Sequence, residues 1–487
     1  MTVIDPSPDP AAANQQAWAL ATEWGGGDRM NELETFMWRS ERHPQRSSTT
    51  SVIMLLDTVP DWDRLHAAHD WATKLVPRMR QRVLEPAVPV GPPAWVVDRA
   101  FDLDYHLRRV HLPPPGEMAE LLAFAQGAAM SPFDRTRPLW EGTLIEGLAD
   151  GKAAYLLKLH HSLTDGMGGV QLLSLVQSRT PEHTPKKPVA PPKPPEGAPD
   201  ARSLAWDELT EQTRRAPSVA GRLLSAGAQA LGSPNSAAAA AVRFAGSLRR
   251  TLSPPPGGGS PLFRGRTGRS WRFGVLECQL ADLKAAAKAA GGSLNDAYIA
   301  ALLGGMRRYH ARHGVEMDEL PMAMPVSLRK SDDPMGGNKF AGAMFAAPMG
   351  IEDPEDRIAT IRGIVLSLRV EPALDSFSLV MPVLNRFPSV VGAATSELAA
   401  AADMSASNFP GVPYPTYMAG ARVERAFPFG PLPGVAVMAA MVSHVGTCCL
   451  GLNMDGSVIK DPSTMVDCMR EGLEEVLASA RKPAPDA

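Results

Sequence analysis

The chain reads as a mixed α/β (α+β) protein built in two halves, and three observations carry that reading. Strand-like runs at Thr49–Leu56 and Ala153–Leu159 alternate with helical patterns at Asp63–Val76 and Glu117–Ala129. A second region of the same kind runs from about Arg264 to Ala480. Between the two the composition breaks, with eight prolines among Lys and Glu in residues 181–201, the mark of an extended, solvated linker.

The divisions follow in order. Residues 1–28 form a polar, Pro/Ala-rich leader expected to be loosely attached, and residues 29–180 form the first half. Residues 181–263 join the linker to an Ala-rich, helix-prone crossover with arginines at 214, 215, 222, 243, 249 and 250. Ser253-Pro254-Pro255-Pro256-Gly257-Gly258-Gly259 breaks any helix there. Residues 264–480 form the second half and 481–487 a tail. Inside the second half, Ser293 followed three residues later by Asp296 makes a capping-box start for a helix reaching about His313 and ending at Gly314. Such an N-terminus also offers backbone donors to developing negative charge. Val435–Met454 is mostly apolar, but Ser443, His444, Gly446 and Thr447 interrupt it. It predicts a pair of buried strands rather than a transmembrane helix.

Composition excludes several classes. The chain has 487 residues, 44% of them hydrophobic, enough for substantial cores in about two to four domains. Its net charge of −3 provides no bulk attraction for nucleic acid. The four cysteines, Cys278, Cys448, Cys449 and Cys468, imply no disulfide framework and point to a reducing cytoplasm. Met1–Gln16 lacks the basic start and apolar core of a signal peptide, so a soluble or peripheral protein is expected.

The segment Lys158-Leu159-His160-His161-Ser162-Leu163-Thr164-Asp165-Gly166 carries the chemistry. An apolar run, Ala153–Leu157, precedes it, and an apolar helical pattern beginning at Val170 follows. A histidine at a strand end can take a proton from a hydroxyl near neutral pH. Asp165 can fix the local geometry, and Gly166 lets the chain fold sharply back. Two plainer readings stand beside this one: a satisfied core histidine, and a metal site made of His, His and Asp. No HExxH or CxxC pattern supports a metal, so none is expected.

Several segments then agree in order. Pro138-Leu139-Trp140-Glu141, the HHxxxDG run at His160–Gly166, Asn295-Asp296, Pro325-Val326-Ser327-Leu328-Arg329, Gly337-Asn338 and Ser407-Asn408-Phe409-Pro410-Gly411 resemble motifs of the bacterial wax ester synthase/diacylglycerol acyltransferases. These belong to the CoA-dependent acyltransferase superfamily, with chloramphenicol acetyltransferase and the peptide-synthetase condensation domains. The resemblance spans about residues 30–475. Departures fall at Glu34, where the family usually shows Asp, at Val412, which separates Gly411 from Pro413, and at His444, where an aromatic is expected. They are expected to touch the lipid-facing end more than the chemistry.

The resemblance implies two chloramphenicol-acetyltransferase-like subdomains with a tunnel at their interface. Acyl-CoA would enter one side as a substrate, with no permanently bound cofactor, and a diacylglycerol or long-chain alcohol the other. By carry-over His161 is the general base and Asn295 an oxyanion donor or orienting group, with helix capping as its plain alternative. Asp165 is structural, paired with an arginine, Arg329 foremost. His160, Gly166, Asp296, Arg329, Pro138, Leu139 and Trp140 support the site, Trp140 as core packing. Arg264, Arg266, Arg269 and Arg272 around Trp271 either meet CoA phosphates or an anionic lipid surface, or form a solvated strand-entry loop. The stretch Ser203–Arg250 is the candidate contact with a membrane or lipid-droplet surface. Alternatives from other classes are a non-catalytic lipid-binding protein retaining the fold, or a condensation-type enzyme with another acceptor.

Overall fold

In the computed structural model of the chain, the described residues are 23–41, 46–88, 91–183, 200–207, 209–210, 258–328, 335–369, 385 and 401–479. The first half runs α1 (Glu32–Ser40), β1 (Thr49–Leu56), α2 (Trp62–Leu75), β2 (Gln81–Leu84), β3 (Ala94–Val97), α3 (Leu103–His106), β4 (Leu107–His111), α4 (Met118–Met130), β5 (Trp140–Glu146), β6 (Ala153–His160), α5 (Gly166–Val176) and β7 (Gln177–Ser178). The second continues with β8 (Trp271–Gln279), α6 (Leu280–Ala289), α7 (Leu294–Arg312), β9 (Glu319–Ser327), β10 (Phe340–Pro348), α8 (Pro354–Arg369), β11 (Met404–Phe409), β12 (Tyr417–Met418), β13 (Ala421–Phe429), β14 (Val437–His444), β15 (Thr447–Asp455) and α9 (Pro462–Ser479).

Two large sheets form the frame. One has the order β4-β5-β6-β1-β13-β12-β7, the other β10-β9-β11-β14-β15-β8. The sheets do not divide the chain at one point. β12 and β13 lie in the second half of the chain yet complete the first sheet, with β13 antiparallel to β1 in the register Ser51↔Phe429 to Leu55↔Arg425. The sheets thus do not follow the two halves of the chain: a strand pairs with whichever edge buries its apolar residues, and Val423, Phe427 and Phe429 are buried there. β14 and β15 form the antiparallel pair expected within Val435–Met454, and every residue of β15 is buried.

Helices cover the outer face of the second sheet. α7 starts at the expected box: the Ser293 hydroxyl accepts from Asp296 N and the Asp296 carboxylate from Ser293 N. It is buried almost throughout its middle and meets α9 where Gly305 and Gly472 let the backbones approach. Between the sheets, Ile53, Leu156, Phe427, Phe429, Val442 and Cys449 share one apolar cluster, and Phe273 stacks on Phe429 with centroids 4.0 Å apart. His444 is buried at the end of β14, where its Nε2 donates to the Val423 carbonyl of β13 at 2.9 Å. It ties one sheet to the other.

Residues 23–28 are seated, unlike the loose leader that composition suggests. Trp24 is buried against Gly336, and Arg78 donates to the carbonyls of Gly25 and Gly27 at 3.0 and 2.7 Å. One large indole and three glycines that expose their carbonyls suffice to dock a polar segment. Residues 1–22, Arg329, most of the linker and most of Ser203–Arg250 lie outside the described residues. The helix at 201–207 lies within them, and there Leu204 packs on Ala94 and Val96.

Candidate active site

β6 delivers the two histidines and the turn after it separates them. His160, the last strand residue, pairs with Thr49 of β1 and is fully buried. Its Nε2 meets Glu41 Oε2 at 2.8 Å and its Nδ1 meets Ser162 Oγ at 2.7 Å, with Trp38 and Phe133 edge-on around it. Burial alone would raise the Glu41 carboxyl, but the His160 hydrogen bond and charge hold it below the usual carboxylate range. His160 thus braces α1 and β1 against the turn.

His161 faces the other way, into a mostly apolar cleft between the sheets, walled by Leu157, Leu159, Leu173, Phe409, Phe429 and Val442. Its backbone N–H donates to Ser48 O at 2.7 Å, and its Nδ1 lies 3.1 Å from Asn338 Oδ1. The Asn338 amide is oriented by its own Nδ2, which donates to the His161 carbonyl at 2.8 Å. Oδ1 is therefore the acceptor at Nδ1, which assigns the proton to Nδ1 and leaves Nε2 with a lone pair. Desolvation pushes the His161 pKa below its ordinary value, against the opposing pull of its own backbone carbonyl, Asp165 and Asn338. Burial thus favours the neutral ring.

Behind Asn338 stands Glu34. It is buried, one carboxylate oxygen accepts from Asn338 N at 3.2 Å and the other from Asn31 N at 3.0 Å, and Asn31 Nδ2 donates to the Asn338 carbonyl at 3.1 Å. Burial raises the Glu34 carboxyl, with the Arg78 charge opposing. The departure at Glu34 therefore sits one residue behind the base, not at a lipid-facing end. Gly336 and Gly337, both at left-handed φ (71° and 65°), bring Asn338 to this position. Gly337 bridges Thr164, and its carbonyl accepts from Asp165 N at 3.3 Å.

The other expected residues are placed as follows. Asp165 is half-buried and N-caps α5 by accepting from Gly168 N at 3.0 Å. Gly166 opens that helix outside the left-handed region, so its need for no side chain is spatial: a Cβ would lie 2.9 Å from the Phe409 ring. That corrects the sharp-turn reading. Leu139 and Trp140 are buried; the Leu139 carbonyl accepts from His160 N, and the Trp140 indole donates to Met79 O at 2.8 Å and stacks on His106. Pro138 is buried beside them. His161, Asp165 and Gly166 line the cleft together, but Asn295 does not join them. Its Nδ2 points to Met324 Sδ at 3.6 Å, on the face of β9 that packs under the helices. Asp296, fully buried, lies 3.5 Å from Arg362 of α8, so an arginine partner is found on this carboxylate.

Sequence reasoning missed three groups near the base. Asn338 was legible only as part of a matched Gly-Asn pair, Glu34 only as a departure, and Ser407 only as part of a motif. Ser407 lines the cleft from β11, two residues before Phe409 on the same face. Arg266 of the arginine-rich loop is a tether, donating to Asp403 Oδ1 at 2.9 Å and to Ala402 O at 3.0 Å, while Arg264 and Arg269 are exposed.

A first sheet completed by strands from the second half of the chain, with a strand-end histidine opening onto an apolar cleft between the two sheets, fits a protein of the CoA-dependent acyltransferase type. The comparisons are specific: the wax ester synthase/diacylglycerol acyltransferase catalytic domain matches residues 30–298 and the family's C-terminal domain residues 336–476. The chain belongs to the wax ester synthase/diacylglycerol acyltransferase family. It is 38% identical over 467 residues to a Mycobacterium tuberculosis protein provisionally named a diacylglycerol O-acyltransferase, covering 94% of this chain and 93% of that one. Among solved structures, its fold is similar to the wax ester synthase/diacylglycerol acyltransferase of Marinobacter aquaeolei VT8 (TM-score 0.61, 21% identity, 93% of this chain and 100% of that one). It is also similar to the starter condensation domain of rhizomide synthetase (TM-score 0.57, 14% identity, 96% of each).

Proposed function

We propose that the chain transfers a long-chain acyl group from acyl-CoA to a hydroxyl acceptor, diacylglycerol or a fatty alcohol, with His161 as general base. The observation that carries this is the tied-back imidazole: Nδ1 is held by Asn338 and Nε2 is left basic at the wall of an apolar cleft. Nε2 takes the hydroxyl proton as the oxygen attacks the thioester carbon. The tetrahedral oxyanion collapses, the C–S bond breaks, and the CoA thiolate takes the proton back from the imidazolium. No acyl-enzyme forms. Positioned base catalysis of this kind contributes ~10²–10⁴-fold.

Ser407 is the better-placed oxyanion donor, because it lines the cleft with His161 whereas Asn295 faces Met324. Asp165 acts by capping α5 and by favouring the imidazolium electrostatically. His161→Ala should fold and lose acyl transfer from labelled palmitoyl-CoA to a panel of alcohols and diacylglycerols, read by product mass. Near wild-type turnover by that variant would sink the proposal.

We infer further that the enzyme works at a lipid surface, because its proposed substrates are long-chain and poorly soluble. Among the described residues no helix is long and apolar enough to cross a membrane. Trp206, 71% exposed, and Leu209, 42% exposed, flank the start of the Ala/Arg-rich stretch. An exposed indole is suited to the headgroup boundary. Flotation with anionic vesicles at low salt should carry the protein up, and Trp206→Ser should weaken that. Protein left in the bottom fraction even with anionic vesicles at low salt would refute it.

A further inference from the structure

The first turn of α1 reaches the base through Asn338. Asn31 and Glu34 close a capping box there: Asn31 Oδ1 accepts from Glu34 N at 2.9 Å and Glu34 Oε2 accepts from Asn31 N at 3.0 Å. The box leaves Glu34 Oε1 and Asn31 Nδ2 to spare, and both meet the same residue. Oε1 accepts from Asn338 N at 3.2 Å, and Nδ2 donates to Asn338 O at 3.1 Å. The groups that start a helix thus also grip both main-chain polar groups of the residue whose side chain holds the His161 ring.

The approach to Asn338 makes that grip matter. Gly336 and Gly337 precede it, and glycine has the widest backbone freedom of any residue. Hydrogen bonds to the main chain locate this stretch: Gly25 N donates to Met335 O at 2.7 Å, Gly336 N to Gln171 Oε1 at 3.0 Å, and Asp165 N to Gly337 O at 3.3 Å. At Asn338 itself the buried carboxylate of Glu34 is the stronger holder, since Asn31 is exposed. Only a carboxylate accepts from both N–H groups; a side-chain amide has one oxygen and would turn a donor toward one of them. Misplacement of a reacting group by about 1 Å can cost on the order of 10²-fold in rate.

We propose that Glu34, with Asn31 beside it, is a positioning residue for acyl transfer: it fixes the Asn338 main chain, and the Asn338 amide then holds His161 in the tautomer and rotation that leave Nε2 free to take the hydroxyl proton. The inference rests on the acyl-transfer reading of the His161 cleft. Among the described residues neither Glu34 nor Asn31 lines that cleft, so both act through Asn338 and not by touching substrate.

Two variants keep the helix start and release Asn338. Glu34→Gln retains an oxygen for the capping box, where Gln also serves, and turns its amide against Asn338 N. Asn31→Ser retains the cap and drops the bond to Asn338 O. Should loss of the charge near Arg78 unfold Glu34→Gln, Asn31→Ser carries the test. Each is made in the wild-type chain and in Asn338→Ala, and kcat, KM for acyl-CoA and the His161 ring-nitrogen NMR signals are measured, the signals assigned by their loss in His161→Ala. Glu34→Gln should lower kcat about 10–100-fold and change KM by less than about twofold. Its ring signals should move from the Nδ1-protonated form to a mixture of tautomers, and Asn31→Ser should move the same readouts by less. In the Asn338→Ala background neither change should lower kcat further by more than about twofold, because the amide they act through is gone. Folded variants with wild-type kcat and wild-type ring signals, or losses that multiply that of Asn338→Ala, would overturn the inference. Wild-type protein that transfers no acyl group would instead overturn the acyl-transfer reading, and the ring signals alone would then decide whether Glu34 holds His161.

Discussion

The proposed chemistry turns on one amide. Asn338 accepts from His161 Nδ1 and donates to the His161 carbonyl, so it sets the ring's tautomer and rotation together. Two substitutions separate those duties. Asn338→Ala removes both bonds, and kcat should fall about 10–100-fold, with no recovery at high pH. Asn338→Asp keeps an acceptor for Nδ1 but adds a negative charge beside the imidazolium. An opposite charge at that range raises a pKa by roughly one to three units. The wild-type ring titrates below 6.5, so the acid limb of kcat/KM lies below that pH, and the Asp variant should move it upward. Activity would then be lost at pH 6 and largely kept at pH 8. A pH profile with an unmoved limb would show that residue 338 does not face the ring charge. His161 was legible from its motif because two histidines, a turn and an Asp sit within one short stretch. Asn338 was not, because 177 residues separate it from His161 and only the fold brings them together.

At the scale of elements, the start of α5 shows why adjacent glycines differ. A Cβ on Gly168 would collide with the Thr164 hydroxyl and lie 2.9 Å from the Gly336 backbone, where the two halves touch. A Cβ on Gly169 would meet only Leu159 Cδ1, at 3.9 Å. Gly168→Ala should therefore cost about 1–3 kcal/mol. Gly169→Ala should be neutral or stabilising by up to ~1 kcal/mol through helix propensity. Denaturant midpoints of the two variants should fall on opposite sides of, or unequally below, the wild type; equal losses would contradict the packing account. Elements themselves were readable where local rules decide them. β1 and β6 follow apolar patterning, and α7 begins at the capping box Ser293/Asp296. The destination of β13 was not readable, since its pattern says strand but its partner β1 is chosen by edge and burial. Asn295 carried two readings in the sequence, and the packing of α7 on β9 sets its amide against Met324.

Across the whole molecule, buried histidines set the response to acid. His106, His161, His310 and His444 all have pKa values lowered chiefly by desolvation. The unfolded chain takes up protons at each of them near 6.5 while the folded chain resists. The unfolded state then binds more protons, and stability rises with pH through that window. The stability these groups provide is complete above pH 6.5 and is lost as pH falls below it through the folded values. Guanidinium midpoints should be level from pH 7 to 8 and drop at pH 6 and again at pH 5. A flat profile down to pH 5 would mean that these rings are solvated in the folded state.

The loan of β13 from one half to the sheet of the other has a kinetic consequence. To part the halves like jaws, the molecule would have to strip a strand from the middle of a sheet and break the His444–Val423 tie as well. Such an event belongs to partial unfolding rather than to a turnover cycle. The two halves are therefore expected to stay joined through turnover, so that the proposed long-chain product is drawn out along the cleft like a cord from a sleeve.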